Sequence, residues 1–274
     1  DLNKFEQITN LKFPKIKLQI LNLAKLDKKD ERNKLQIYLN RSRYIINYDI
    51  KDKIIKFFSN NSFIGNDKFI FKGEILSDPF NFDIKSSLDN LRLNKFLSNS
   101  IFMNEIFSND FILNENFNGK INLNIKNLEK NPLFNSLILY LNFKGRTLEL
   151  SNSFFSNKKI ANLYFRKATL YDEGNNLVFK GNVDFVINDI NKLYNKFVVP
   201  KKYRNNLKKL NFEILVNLTN NDFKILKITN EYFKNKEFEQ IDELIYEFNS
   251  GGIKISNWIE FKIFANKIIS SYSG

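Results

Sequence analysis

The chain has 274 residues, no His, no Cys and a formal charge of +13, from 43 Lys and Arg against 30 Asp and Glu. Without imidazole or thiol it is excluded from thiolate nucleophiles, imidazole acid–base pairs, disulfides and His or Cys metal sites. The positive charge suits a phosphate-rich partner, nucleic acid or an anionic membrane, yet Lys, Asn, Ile and Phe are abundant while Gly, Pro, Ala and Arg are scarce, as AT-rich codons dictate whatever the function.

Apolar residues recur at every second position through most of the chain, the period of a strand with one apolar face. Residues 12–85 read as strands: Ile16, Leu18, Ile20, then Leu21 and Leu23 with the phase flipped by one, as a bulge would flip it; Leu35, Ile37, Leu39; Tyr44, Ile46, Tyr48, Ile50; Phe69, Phe71, Ile75; Phe80, Phe82, Ile84. From Asp89 the spacing turns helical through Leu93, Phe96, Leu97, Ile101, Phe102 and Ile106, predicting a helical interlude over 90–108. Strands resume at Gly119 with Ile121, Leu123, Ile125; Leu137, Leu139, Leu141, Phe143; Leu148, Leu150; and Leu177, Phe179, Val183, Phe185, Ile187.

A second helical interlude is predicted over 189–209. Ile190, Leu193, Tyr194 and Phe197 share one face, Pro200 closes it, and Tyr203, Leu207 and Leu210 follow among Lys201, Lys202, Arg204, Lys208 and Lys209. This densest basic cluster reads either as a contact for phosphates or as the solvated face of a connecting helix. Strands at Phe212, Ile214, Val216, Leu218 and over Phe223–Ile228 end a β region spanning 1–228. Residues 229–274 read as a helical pair: the stripe Phe238, Ile241, Leu244, Ile245, Phe248 opposite an acidic face, a stop at Ser250, Gly251 and Gly252, then a capping box of Asn257 and Glu260 opening the stripe Trp258, Phe261, Phe264, Ala265, Ile268. No run approaches the ~18–20 apolar residues of a spanning helix, and the charged opening residues do not read as a signal peptide. Asp1 in place of Met suggests a segment of a longer or processed chain.

No Gly-rich phosphate loop, nucleophile elbow or metal-ligand spacing occurs, and no carboxylates pair convincingly, so the expectation is a protein with no catalytic residues, no cofactor and no metal. A weak repeat is visible instead: GKINLNIKNL at Gly119–Leu128 and GNVDFVINDINKL at Gly181–Leu193, with a longer relative over Gly73–Phe96.

The succession NGKINLNIKNL, FKGRTLELSNS and ATLYDEGNNLVFKGNVDFVINDINKLYNKF, with the closing KISNWIEFKIFANKIISSYSG, resembles the C-terminal part of AsmA-like proteins of the bacterial envelope, relatives of AsmA, TamB and YhdP, over residues 65–274. The resemblance implies a mainly β fold with a few helices, a long twisted antiparallel sheet curled into an open groove, and a C-terminal helical cap. It also implies a periplasmic protein, anchored to the inner membrane by a segment not present in this sequence, that binds or conducts phospholipid in outer-membrane biogenesis.

Residue pattern and resemblance meet at the one-faced strands. Ile121, Leu123, Ile125, Leu139, Leu141, Phe179, Val183, Phe185, Ile214 and Val216 are expected to line one apolar surface for acyl chains, with Asn122, Asn124, Lys180 and Asp184 facing water. Phe238, Ile241, Leu244, Phe248, Trp258, Phe261 and Phe264 are expected to cover the sheet or close a groove end, with Trp258 buried. The partners expected are phospholipid or another acyl-chain lipid and other envelope proteins; a nucleic-acid reading rests on charge alone. The alternative architecture is a closed β-sandwich serving as an interaction scaffold.

Overall fold

The computed structural model describes all residues except 1–5, 15–16, 26–32, 94–113, 175, 205, 221, 231–234, 252–257 and 272–274; the side chains of 6, 25, 235–238, 258–261 and 271 also lie outside the description. The chain is mainly β, its 15 described strands following one another in a largely antiparallel ladder. It divides into two compact units: residues 1–91 with 118–127, and residues 92–117 with 128–274.

The first unit holds β1 (Glu6–Phe13), β2 (Leu18–Lys25), β3 (Asn33–Leu39), β4 (Ser42–Lys51), β5 (Ile54–Ile64), β6 (Asp67–Ser77), β7 (Phe80–Leu91) and β8 (Gly119–Leu128). Asn40, Asp52 and Gly65 take positive φ at the tight turns between consecutive strands, the conformation such turns demand of Asn, Asp and Gly. Directly paired residues share a face, so register defines the apolar side. Ile20 opposes Ile37, Ile37 opposes Tyr44, and Leu35 opposes Ile46. Tyr48 opposes Phe57, Ile55 opposes Ile75, and Ile75 opposes Phe82.

Three details differ from the alternating pattern. No register shift occurs in β2, where Leu21 and Leu23 simply point to the other face opposite Asn10 and Ile8. The irregularity lies in β4–β6, between Ser59 and Ser62, where the two buried hydroxyls meet at 2.6 Å and Ser62 Oγ accepts the Ile45 amide. The pair β7–β8 is parallel rather than antiparallel. Phe82 N donates to Asn118 O, Ser86 Oγ to Asn122 O, and Asn127 Nδ2 to Asn90 Oδ1, so the two strands advance together. Parallel neighbours need a crossover, which is the segment between Leu91 and Gly119. The helix expected over 90–108 accordingly starts later, because β7 runs to Leu91 and Leu93 is helical; residues 94–108 lie outside the described residues.

The second unit holds β9 (Ser136–Lys144), β10 (Thr147–Glu149), β11 (Phe154–Asn157), β12 (Ala161–Glu173), β13 (Asn176–Ile187), β14 (Lys209–Asn217) and β15 (Asp222–Thr229). β10 and β11 share one place in the ladder, each pairing with both β9 and β12. Helices α1 (Ile190–Phe197), α2 (Asn235–Ser250) and α3 (Trp258–Ser271) complete it. Asp189 caps α1, its Oδ1 accepting the Lys192 amide at 3.0 Å, which satisfies a donor that the first helical turn leaves unpaired. After α1 only Lys201–Tyr203 form a further short helical turn; Leu207 and Leu210 leave the helical stripe expected of them, Leu210 entering β14.

One core joins the helices to the sheet. Leu193, Tyr194 and Phe197 of α1, Ile241, Ile245 and Phe248 of α2 and Phe264, Ile268 and Ile269 of α3 pack with Leu210, Ile225 and Ile228 of the strands. The 229–274 pair therefore belongs to this unit's core, and the apolar face is covered by helices where a sandwich would use a second sheet.

Candidate functional site

Register settles which expected lining residues share a surface. In the second unit Leu148 opposes both Phe143 and Leu170, Leu170 opposes Phe179, Phe179 opposes Val216, and Gly181 opposes Ile214. Leu139, Leu141, Phe179, Val183, Phe185, Ile214 and Val216 thus stand on one face of β9–β14. Their surroundings differ. Phe185 and Ile214 pack into the helical core, and Val183 and Val216 are buried, whereas Leu139, Leu141 and Phe179 stay half-buried. Rings continue along this face, with Phe155, Phe165 and Phe179 at centroid separations of 6.0 and 5.9 Å.

In the first unit Ile121, Leu123 and Ile125 share the face of Gly119, on which the Phe82 ring lies. Ile125 is buried, and Ile121 and Leu123 are half-buried. This unit contains no described helix of its own, and its apolar face is the less covered. Among the described residues only Phe71, Phe82, Leu88 and Ile125 are buried apolar side chains there, while Leu35, Ile37, Tyr44, Ile46, Tyr48, Phe57, Phe69 and Ile84 are half-buried, and Ile50 is 56% exposed. Tyr44 and Phe69 meet edge-on at 6.4 Å across the intervening β5. This half-covered aromatic and aliphatic face was read from the sequence as alternating strands but not included among the expected lining residues.

The polar neighbours divide. Asn124 and Lys180 are exposed, and Asn122 is half-buried with its carbonyl accepting from Ser86. Asp184 departs from expectation: it is buried on the polar face, receiving Arg166 Nε at 2.7 Å and Lys209 Nζ at 3.1 Å. Burial pushes its carboxyl up, but the hydrogen bonds from Arg166 and Lys209 outweigh burial and hold it below the usual carboxylate range.

Of the expected cover residues, Ile241, Phe248 and Phe264 are buried in the helical core and Leu244 packs against it. Phe238, Trp258 and Phe261 belong to α2 and α3, but their side chains lie outside the description. α2 also closes the sheet edge, because Asn249 Oδ1 accepts from Ile225 N at 3.0 Å while its Nδ2 donates to Ile225 O at 2.8 Å. Nothing in the local sequence announced that pairing.

No family model, curated protein or solved structure matches the chain. No described helix is long and apolar enough to cross a membrane.

Proposed function

We propose that the chain is a non-enzymatic, AsmA-like envelope protein. In this reading it binds or conducts phospholipid, or another acyl-chain lipid, along an apolar groove, supporting outer-membrane biogenesis. It would act in the periplasm, tethered to the inner membrane by a segment outside this sequence. The observation that carries the reading is the apolar face of β2–β8, half-covered in a unit with no described helix. Each methylene withdrawn from water onto such a surface gains ~0.8 kcal/mol, so a lipid tail can be held with no polar chemistry, its headgroup left in water. The helical core of the second unit then closes the apolar face it covers.

The test is photo-crosslinking from benzophenone side chains placed at Tyr44, Ile46 and Phe57, on the apolar face, and at Lys56, Lys72 and Lys85, on the opposite one. Mass spectrometry of protein purified from cells should find phospholipid adducts from the first set alone. Adducts from neither set, or from both equally, would sink the proposal.

A further inference from the structure

Val198 has a backbone that its side chain does not suit. It ends α1 in the left-handed region, φ 59° and ψ 43°, and is the sole β-branched residue among the described non-glycine residues with positive φ. The turn is a Schellman-type end, with Val199 N donating to Tyr194 O at 2.9 Å and Val198 N to Asn195 O at 3.3 Å. Gly normally fills this position, since a Cβ there crowds the carbonyl. Internal packing does not compensate: the Val198 side chain is 66% exposed, whereas its neighbours Phe197 and Val199 are buried. The turn satisfies the helix end, but a Gly would do so without strain and the core makes no use of the Val198 side chain, which points to an external contact for it.

The surroundings identify that contact. Asn266 Nδ2 of α3 donates to Phe197 O at 2.9 Å, which brings α3 to this turn; one helical turn before Asn266, Ile263 is 54% exposed. Lys196, Lys201 and Lys202 flank Val198 and are exposed, and no carboxylate pairs with them among the described residues. Elsewhere in the basic cluster Arg204 Nε donates to Val199 O at 3.0 Å and Lys209 pairs with Asp184, whereas Lys208 is exposed and Lys202 Nζ lies 4.7 Å from the Tyr203 ring centroid. No Asp or Glu occurs from Ile190 to Leu210. Exposed aliphatic side chains accompanied by exposed lysines match an interface with apolar depth and surface phosphates.

We propose that this corner of the second unit docks on an anionic phospholipid bilayer. Val198 and Ile263 enter the acyl boundary, and Lys196, Lys201 and Lys202 meet the phosphates. The proposal concerns an intact membrane surface and stands whether or not the sheet carries lipid; crosslinking from β4 and β5 tests the one and vesicle sedimentation the other.

The full chain is sedimented with phosphatidylcholine vesicles containing or lacking phosphatidylglycerol. Binding should require phosphatidylglycerol. Changing Lys196, Lys201 and Lys202 together to Ala should weaken it about 100-fold, at roughly fivefold per lysine near the surface. Changing Lys167, Lys180 and Lys227 to Ala removes the same charge from the opposite side of the sheet and should leave binding within about twofold. Val198→Asp and Ile263→Asp should each abolish sedimentation. Val198→Gly relieves the left-handed strain, so its melting temperature should rise while binding falls, separating docking from folding. Equal losses for the two lysine triples, retained binding by both Asp variants, or vesicle binding indifferent to phosphatidylglycerol would overturn the proposal.

Discussion

Asp184 is an acid that the alternating pattern assigns to water and the structure assigns to a buried ion pair with Arg166 and Lys209. Its folded pKa is depressed, so its contribution to stability is present above the ordinary carboxylate value of about 3.9 and is lost as pH falls through the folded value. Asp184→Asn should therefore lower stability by about 1–3 kcal/mol near neutral pH, since both cations lose a charged acceptor. The deficit should shrink as pH falls below about 4, where the carboxyl of the unfolded chain protonates, and vanish once the folded carboxyl protonates at lower pH. Chemical denaturation of both proteins across that range measures it; a deficit that grows on acidification would mean that the pair contributes nothing in this way.

The glycines that open the repeat acquire a common physical role. A Cβ on Gly73 would sit 2.3 Å from Asp83 O and 3.0 Å from the Phe57 ring, and one on Gly119 would sit 2.5 Å from both Phe82 O and its ring. At Gly181 the nearest atoms are side chains, Ala168 Cβ and the Phe179 ring, both at 3.1 Å. Gly119 also has φ +154°, which other residues rarely adopt. These spacings rank the substitutions. Gly119→Ala should cost about 2–4 kcal/mol through overpacking and backbone strain, and Gly181→Ala under about 1.5 kcal/mol, because a ring can shift where a backbone carbonyl cannot. Thermal melting of the two variants tests the order.

Among elements, α2 ends the ladder by offering the β15 edge a side chain in place of another strand. The Asn249 amide satisfies both backbone groups of Ile225, a residue only 2% exposed. Asn249→Leu keeps the volume close but leaves a buried donor and acceptor unpaired, at about 1–3 kcal/mol each. The expected result is a loss of roughly 2–4 kcal/mol in denaturant unfolding. Hydrogen exchange at the Ile225 amide should also become markedly faster than at Ile214. If exchange at Ile225 is unchanged, the clamp is not what protects the edge.

At the scale of the whole molecule the two units differ in how they bury their apolar faces. The second covers the β13–β15 part of its face with three helices and a contiguous core; the first has few buried apolar residues among those described. Local opening follows burial, so amides of β3–β6 should exchange faster than those of β12–β14. If the lipid reading holds, loading with phospholipid should slow the first set and leave the second unchanged. Charge placement tests the same contrast. Ile214→Asp puts an unpaired carboxylate against the helical core and should unfold its unit, while Ile46→Asp, on the half-covered face, should keep its melting transition and lose lipid capture. Two variants that melt alike would show the faces to be equally packed.

The strand content, the apolar identity of one face, the helical stripes of α1, α2 and α3 and the absence of His and Cys chemistry were legible in the residues, because a period of two or 3.6 is a property of the local backbone. Leu139, Phe179 and Ile214 stand on one face of the second unit's strands for that reason. What covers a face is not local. Ile46, Leu139 and Ile214 are equivalent as alternating strand residues, yet Ile214 meets a helical core assembled from residues 193–269, while Ile46 and Leu139 remain half-buried. Likewise the parallel β7–β8 pair, the Asn249 clamp and the Asp184 ion pair each join groups brought together only when the chain folds, separated by 37, 24 and 18 residues. Short-range pattern determined the elements and their sidedness; long-range packing decided which apolar surface was buried and which stayed half-covered, because burial depends on the neighbour and not on the strand.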